Sequence, residues 1–241
     1  MLLFIILIFY ILVPNMAIAQ RIQLIQQLIK ETAQSCGREP ESILLLAVSK
    51  QQNIDAINEA YHSGLCHFGE NYYQEAEKKI QALKSLPLSW HFIGPLQSNK
   101  TKGIARLFSW VHSINRLSIA ELLSKHRPPE LPPLNVCLQI NVVDEPSKSG
   151  IPIEEAHDLA KSISQLPQLK LRGLMTIPPP QNHPEQQFHI FSQLKQLKEC
   201  INKDLNLNMD SLSMGMSDDL IPAINAGATI VRIGRALFGE R

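Results

Sequence analysis

The feature that most constrains this chain is a repeated alternation of short apolar segments with longer helical patterns. The first apolar segment, 43–48, is continuous rather than alternating, which is typical of a parallel strand covered on both faces. A helical pattern follows at 54–62, with Gly64 placed to end it. The same pair of patterns recurs along the chain, so the sequence predicts parallel strands joined by helices. The predicted strands are 43–48, 66–68, 90–93, 110–112, 136–142, 169–175, 209–214 and 229–233.

Eight such strands, each but the last followed by a clear helical pattern, predict an α/β fold of one domain, a (β/α)₈ TIM barrel. An extra N-terminal helix is predicted from Ile18 onward, because apolar residues recur there at spacings of three and four. An open doubly wound sheet is the alternative, since several predicted strands have only three or four residues. The Pro-rich tract 128–133 interrupts the alternation, and we interpret it as a stiff surface loop.

Composition excludes several classes of function. The chain has 23 Lys+Arg against 22 Asp+Glu and a net charge of +1, which predicts no binding to nucleic acid. With 44% hydrophobic and 19% charged residues, it has the composition of a folded protein. Four cysteines, at 36, 66, 137 and 200, show no short paired spacing, so neither a disulfide framework nor a metal site is predicted. A reducing compartment suits such cysteines.

The first fifteen residues form an apolar extension with its own interpretation. The uncharged run 1–13 is shorter than the roughly twenty residues of a membrane-spanning helix, so no stable membrane insertion is predicted. A signal peptide fits the apolar length, and Ala17-Ile18-Ala19 resembles a cleavage site, but no Lys or Arg precedes the run. We therefore favour translation from Met16, which predicts an extension at 1–15 and a barrel domain at 16–241.

A lysine stands directly after the first predicted strand. In a barrel, the carboxyl ends of the strands carry the active site, so Lys50 is expected at its mouth. Burial there disfavours the charged amine, and an uncharged amine is a nucleophile towards carbonyls, as a Schiff base requires. The alternative is that Lys50 extends into water and has no chemical role.

The loops after the last two predicted strands are suited to a phosphate. Gly215 and Ser217 follow the seventh strand and Gly234 follows the eighth, the two positions at which barrels often hold phosphate groups. The simpler alternative is that Ser217 caps its helix and Gly234 forms a turn. A Schiff-base lysine opposite a phosphate site fits pyridoxal 5′-phosphate (PLP), which carries an aldehyde and a phosphate on one ring.

Several segments resemble the signature segments of the YggS/PROSC family of pyridoxal phosphate homeostasis proteins. They occur in the family's order, and the run Trp-His-Phe-Ile-Gly-Pro-Leu-Gln-Ser-Asn-Lys is the most specific of them. A further segment, 141–150, also resembles the family pattern and includes Lys148, a candidate second amine. The main segments are 46–50, 68–72, 90–100, 173–175, 212–219 and 231–234.

The resemblance implies a barrel similar to the N-terminal domain of alanine racemase, with PLP held through Lys50. It also implies that Ser217 and the backbone around Gly234 and Arg235 hold the phosphate, and that Arg232 faces the pyridine nitrogen. A guanidinium keeps its proton, so the ring nitrogen stays unprotonated and the cofactor is a poor electron sink. For His91, a packed strand histidine is an equal alternative. The remaining cofactor-binding candidates are Asn71, His91, Met175, Ser213 and Met216.

The function implied by the resemblance is PLP homeostasis within the cell, in which the protein buffers the cofactor and delivers it without efficient turnover. A racemase of this type takes its second base from a C-terminal β-domain, and little chain follows the eighth predicted strand, so no catalytic residue is predicted. The alternatives are a weak amino-acid racemase or another Schiff-base enzyme, and an interaction protein that uses the tract 127–133. We expect a cytoplasmic monomer whose partners are PLP and apo PLP-dependent enzymes.

Overall fold

Eight parallel strands form a closed barrel in the computed structural model, which describes residues 16–143, 149–181 and 183–239. Each strand pairs with the next along the chain, and the last pairs with the first. This confirms the predicted (β/α)₈ barrel and excludes the open sheet. The strands are β1 Leu44–Val48, β2 His67–Glu70, β3 Ser89–Phe92, β4 Trp110–Ile114, β5 Leu134–Gln139, β6 Leu169–Met175, β7 Ser211–Ser213 and β8 Ile230–Ile233.

Helices surround the barrel, and the predicted extra helix precedes the first strand. Within the described ranges there are nine α-helices, together with 3₁₀ turns at Pro40–Ser42, Ser98–Lys100 and Ile153–Glu155. The helices are α1 Ile18–Ser35, α2 Ile54–His62, α3 Tyr73–Ala82, α4 Thr101–Leu107, α5 Leu117–His126, α6 Ala156–Ser164, α7 Pro184–Leu205, α8 Leu220–Asn225 and α9 Arg235–Phe238.

The first helix packs against the outside of the barrel beside the point where it closes. Ile22, Ile25 and Ile29 on α1 are buried, as the spacing of apolar residues predicts. The helix packs against α2, α8 and α9, which flank β1 and β8. It therefore covers the side of the barrel where its first and last strands meet.

Strand β5 ends earlier and β7 begins later than predicted, because hydrogen bonds outside the barrel sheet take over there. Ile140, after β5, pairs with Ile151 as an isolated bridge, so the strand ends at Gln139. Before β7, the backbone N–H and carbonyl of Met209 are both bonded to the side-chain amide of Asn202 on α7. Hydrophobicity extends across both segments, but hydrogen bonding sets the strand boundaries.

The Pro-rich tract is a loop between α5 and β5 that is anchored to the barrel. Arg127, at the end of α5, is buried and donates through Nε to the carbonyl of Pro132 at 2.8 Å. Its Nη1 donates to the carbonyls of Ala105 and Phe108 at 2.6 and 2.8 Å. The interpretation as a stiff surface loop agrees with these contacts.

Some predictions fall on residues that lie outside the described ranges. The apolar extension at 1–15 and Lys148 are among them, so the division of the chain at Met16 and the second amine stay predictions. In the described part of the chain, no helix is long and apolar enough to cross a membrane.

Two phenylalanines on α7 test the packing of that helix against the barrel. Phe191 is fully buried, whereas Phe188 is 37% exposed. We expect Phe191→Ala to lower the free energy of unfolding by about 3–5 kcal/mol through the cavity that it creates. Phe188→Ala, the same change on the exposed side, should cost less than about 1 kcal/mol. Urea denaturation measures both, and equal losses would contradict the orientation of α7.

Candidate functional site

The carboxyl ends of the strands bring the candidate lysine close to the candidate phosphate loop. We call this face of the barrel the rim. Ala47 pairs with Ile233 where β1 and β8 lie side by side, so Lys50 and Gly234 follow two neighbouring strand ends. A Cβ added to Gly234 would lie 3.2 Å from the carbonyl oxygen of Val48. The strand ends that precede the two predicted parts of the site therefore lie side by side where the barrel closes.

The turn that carries Lys50 is held in an uncommon conformation. Lys50 is half-buried and follows Ser49, which is fully buried. The next residue, Gln51, has a φ of 63°, in the left-handed region that non-glycine residues adopt only when their surroundings hold them there. The backbone N–H of Gln51 donates to the carboxylate of Glu75 on α3. Contacts from α3 thus fix the turn beside Lys50.

A buried ionic cluster lies beneath this turn. Glu70, at the end of β2, is fully buried and accepts from Ser49 Oγ at 2.6 Å. Lys79 Nζ donates to Glu70 at 2.8 Å, to the carbonyl of Ser49 at 2.7 Å and to the carboxylate of Glu75. Burial raises the pKa of Glu70, although the hydrogen bonds and charge of Lys79 oppose this shift. The cluster ties β1, β2 and α3 together below Lys50.

The loop after β7 makes a tight turn and bonds to β8. Gly215 has a φ of 94°, and a Cβ there would come within 2.6 Å of Ala223 Cβ. The carbonyl of Gly215 accepts from the backbone N–H of Arg232 at 2.9 Å. Glycine is needed at this position because neither the backbone angle nor the space suits a side chain.

The remainder of the loop after β7 contacts the starts of helices α8 and α9. Asp219 accepts from the backbone N–H of Met216 through its side chain and is the N-cap residue of α8. Arg235 donates to Asp218 at 2.9 Å, which links the loops after β7 and β8. Ser217 lies half-buried between these contacts and is not the N-cap residue. The helix-capping alternative for Ser217 is therefore wrong.

Arg232 is a buried cation inside the upper end of the barrel. Its side chain donates through Nη1 to Ser213 Oγ and through Nη2 to the carbonyl of Thr176, both at 2.9 Å. Thr176 directly follows Met175, the buried last residue of β6. Burial lowers the pKa of Arg232 to about 10, so it remains charged at neutral pH. Three candidates, Met175, Ser213 and Arg232, are thus brought together.

His91 lies in the barrel interior and is linked to Arg232 through other side chains. Its Nδ1 is 2.9 Å from His112 Nε2, and its Nε2 is 3.0 Å from His67 Nδ1. His112 Nδ1 is in turn 2.7 Å from Ser213 Oγ, the atom that Arg232 contacts. The structure therefore places His91 two side chains away from Arg232, in a chain of histidines rather than among the rim loops.

The environment of these histidines keeps them uncharged. Burial together with the charge of Arg232 lowers the pKa of His112 to about 3. Burial also lowers the pKa of His91 well below its usual range, and neighbouring histidines add to this effect. The pKa of His67, which is partly exposed, is lowered by burial as well. All three rings are therefore neutral at physiological pH.

Asn71, which follows β2 at the rim, has an unsatisfied polar atom. Its side-chain Oδ1 is buried and has no hydrogen-bond partner among the described residues. Its backbone is closely packed, since a Cβ on Gly94 would come within 2.0 Å of the Asn71 carbonyl oxygen. Because buried polar groups are almost always hydrogen-bonded, this side chain fits a ligand that supplies the missing partner.

Glu70, Lys79 and His112 were not among the site residues predicted from the sequence. A signal existed for two of them, since Glu70 and His112 lie in or beside segments predicted to be buried strands, where a polar side chain needs a partner. His112 also follows His67 and His91 on two preceding strands. Lys79 gave no signal, because a lysine in an amphipathic helical pattern is normally exposed.

Comparison with known proteins decides the family. Residues 17–241 match the family described as alanine racemase, N-terminal domain. A pyridoxal phosphate homeostasis protein from Pseudomonas aeruginosa is 55% identical over 224 residues, which cover 93% of this chain and 96% of that protein. The chain belongs to the pyridoxal phosphate homeostasis protein family.

Solved structures agree with this membership. The structure of PipY from Synechococcus elongatus with PLP bound has a TM-score of 0.80 and 35% identity, and the match covers 92% of this chain and 100% of PipY. Alanine racemase from Corynebacterium glutamicum is more distant, with a TM-score of 0.67 and 15% identity over 93% of this chain and 61% of that enzyme. The second likeness shows the shared barrel fold alone.

The ionic cluster beneath Lys50 predicts how stability responds to loss of its cation. Lys79→Met leaves Glu70 buried without its partner, which we expect to lower the free energy of unfolding by about 3–5 kcal/mol at pH 8. A carboxyl with a raised pKa in the folded state binds its proton more readily there than in the unfolded chain. The stability that this protonation contributes is therefore lost as pH rises. The deficit of Lys79→Met should therefore shrink at pH 5.

Two further variants control this experiment. Lys78→Met makes the same change at the exposed neighbouring position on α3, and it should leave stability nearly unchanged. Glu70→Gln in the Lys79→Met background removes the unpaired charge and should restore part of the loss. Urea denaturation at both pH values measures all three proteins, and a deficit independent of pH would contradict the role of Glu70.

Proposed function

We propose that the protein binds PLP and serves in its homeostasis within the cell, buffering the cofactor and delivering it to apo-enzymes. The observation that carries the proposal is the pairing of β1 with β8, which places the strand end that precedes Lys50 beside the strand end that precedes Gly234. The name of the P. aeruginosa relative and the PLP-bound structure of PipY support it.

The residues at the rim fit the chemical groups of PLP. When bound, PLP would supply an aldehyde that is reactive towards a primary amine, together with a dianionic phosphate. Lys50 is the amine. Ser217 and the backbone at Gly234 and Arg235 hold the phosphate. The Arg235 side chain stabilises this loop pair through Asp218.

The remaining candidates have separate roles in the proposal. Asn71 has a buried side-chain atom without a partner, which suits a contact with the ligand. Met175 is apolar and fully buried at the end of β6, and Met216 is partly exposed in the loop after β7; both supply contact surface. Ser213 and His91 act through Arg232.

Binding without efficient turnover follows from the charge of Arg232. Because its pKa is about 10, it donates hydrogen bonds at neutral pH and keeps its proton. A ring nitrogen that receives only a hydrogen bond withdraws electrons weakly, which disfavours carbanion chemistry. The relative's name, a homeostasis protein rather than an enzyme, supports the same conclusion.

Location and partners are part of the same proposal. All four cysteines are free thiols, which supports a reducing compartment, and we place the protein in the cytoplasm. One of them, Cys137, is buried, and burial raises its pKa to about 12, so it is unreactive. We propose a monomer that meets apo PLP-dependent enzymes transiently.

The visible spectrum of the purified protein with PLP tests the role of Lys50. We expect a yellow absorbance band, and borohydride reduction should attach the cofactor mass to the peptide containing Lys50. Lys50→Ala should lose both signals. Lys84→Ala, a change at an exposed lysine before β3 on the opposite face of the barrel, should keep them. Attachment of the cofactor to a lysine other than Lys50 in the wild type would overturn the assignment of Lys50 as the binding amine.

Assays with amino acids separate a carrier from an enzyme. The PLP-loaded protein should interconvert the enantiomers of alanine no faster than the Lys50→Ala variant incubated with the same free PLP. Transfer of PLP to an apo-enzyme should be faster from the loaded wild type than from free PLP diluted to the same unbound concentration. Sustained racemisation that is lost in Lys50→Ala would instead support the enzyme alternative.

A further inference from the structure

Five polar side chains form a continuous hydrogen-bonded chain through the barrel. It begins at His67, the first residue of β2, which is partly exposed at the face opposite the rim. It continues through His91 and His112 on β3 and β4, crosses to Ser213 on β7 and ends at Arg232 on β8. We call these residues the relay. Every distance between neighbours is between 2.7 and 3.0 Å.

The chemistry of Arg232 gives the relay a direction. A guanidinium has only N–H donors, so Ser213 Oγ accepts the bond between them. The hydroxyl proton of Ser213 is then available to His112 Nδ1. A neutral imidazole that accepts at one nitrogen carries its proton on the other, so His112 carries it on Nε2 and donates it to His91 Nδ1.

The same rule for neutral imidazoles sets the protons of His91 and His67, at the other end of the relay. His91 accepts at Nδ1, so it carries its proton on Nε2 and donates it to His67 Nδ1. Ser89 Oγ lies 3.4 Å from the same Nε2 and is the weaker contact. His67 then also carries its proton on Nε2. With this direction, all three histidines would have the same tautomer, set by a residue on the other side of the barrel.

The opposite direction is disfavoured for two reasons. If His112 donated from Nδ1, Ser213 Oγ would accept bonds from both His112 and Arg232. Neither of these two groups could then accept the hydroxyl proton of Ser213. Ser213 is fully buried, where such a proton is costly. The reversed direction would also turn the N–H side of each ring, rather than its lone pair, towards the buried charge of Arg232.

We propose that His91 and His112 are positioning residues that order the Ser213 hydroxyl as an acceptor and thereby hold Arg232 in place for the cofactor's ring nitrogen. The contact with the ring nitrogen rests on the proposed function, whereas the tautomers are a property of the protein alone. The histidines therefore act on the cofactor at a distance, through Ser213 and Arg232.

Nitrogen-15 NMR of the imidazole rings in the cofactor-free protein tests the relay directly. We expect His67, His91 and His112 to be neutral at pH 7 with the proton on Nε2. Ser213→Ala removes the donor to His112 Nδ1, so the ring of His112 should populate the other tautomer measurably. A proton on Nδ1 of His112 in the wild type would overturn the proposal.

Two variants separate the relay from general packing. Ser113→Ala changes a buried serine that directly follows His112 in the chain. The Ser113 hydroxyl donates to the carbonyl of Gly94 and not to a histidine, so the tautomers should stay unchanged. His91→Leu removes the acceptor of the His112 Nε2–H without touching Ser213 or Arg232, so this tautomer of His112 should lose population, although less than in Ser213→Ala. Tautomers that respond equally to Ser113→Ala and Ser213→Ala would contradict the relay.

Binding measurements connect the relay to the cofactor. Wild type should bind PLP about tenfold more tightly than 1-deaza-PLP, which lacks the ring nitrogen. Ser213→Ala and His91→Leu should lose most of this preference, while Ser113→Ala keeps it. An unchanged preference in the first two variants would refute the positioning role. Failure of the wild type to bind PLP would instead refute the proposed function and leave the NMR result standing.

Discussion

Closure of the barrel between β1 and β8 is the constraint on which the site depends. The pairing of these strands brings residues nearly 190 positions apart in the chain into one place, as the register of Leu44 with Ile230 shows. It sets the end of β1, which Lys50 follows, beside Gly234, where an added Cβ would lie 3.2 Å from the carbonyl oxygen of Val48. An open sheet would separate the amine from the loops proposed to hold the phosphate. The helix α1 packs outside this closure and stabilises it.

Closure also encloses polar side chains that must then find partners within the barrel. Arg232 and His112 point into a space without bulk water, where an unpaired polar group is costly. The observed solution is a chain of hydrogen bonds rather than isolated pairs. Beneath Lys50, the same need of buried polar groups for partners accounts for the cluster of Glu70, Ser49 and Lys79. Both networks support residues proposed to contact the cofactor.

Local hydrophobic patterns predicted the fold well, because the burial of each strand and helix is visible in its own spacing of apolar residues. The continuous apolar run before Ser49 and the spacing of isoleucines in α1 needed no knowledge of distant contacts. The ends of β5 and β7 were less predictable, since Ile151 and Asn202 compete for their backbone groups. Positions after strands were predictable as candidate sites because a parallel barrel gathers strand ends on one face.

The sequence by itself determined the order of strands and helices, the family resemblance and the lysine after the first strand. Tertiary structure alone decided which polar side chains meet: His112 and Ser213 are 101 positions apart, and Lys79 reaches Glu70 from a neighbouring helix. It also decided that His91 lies inside the barrel rather than at the rim. The physical reason is that periodicity records whether a side chain is buried, whereas its hydrogen-bond partner depends on how distant strands are placed.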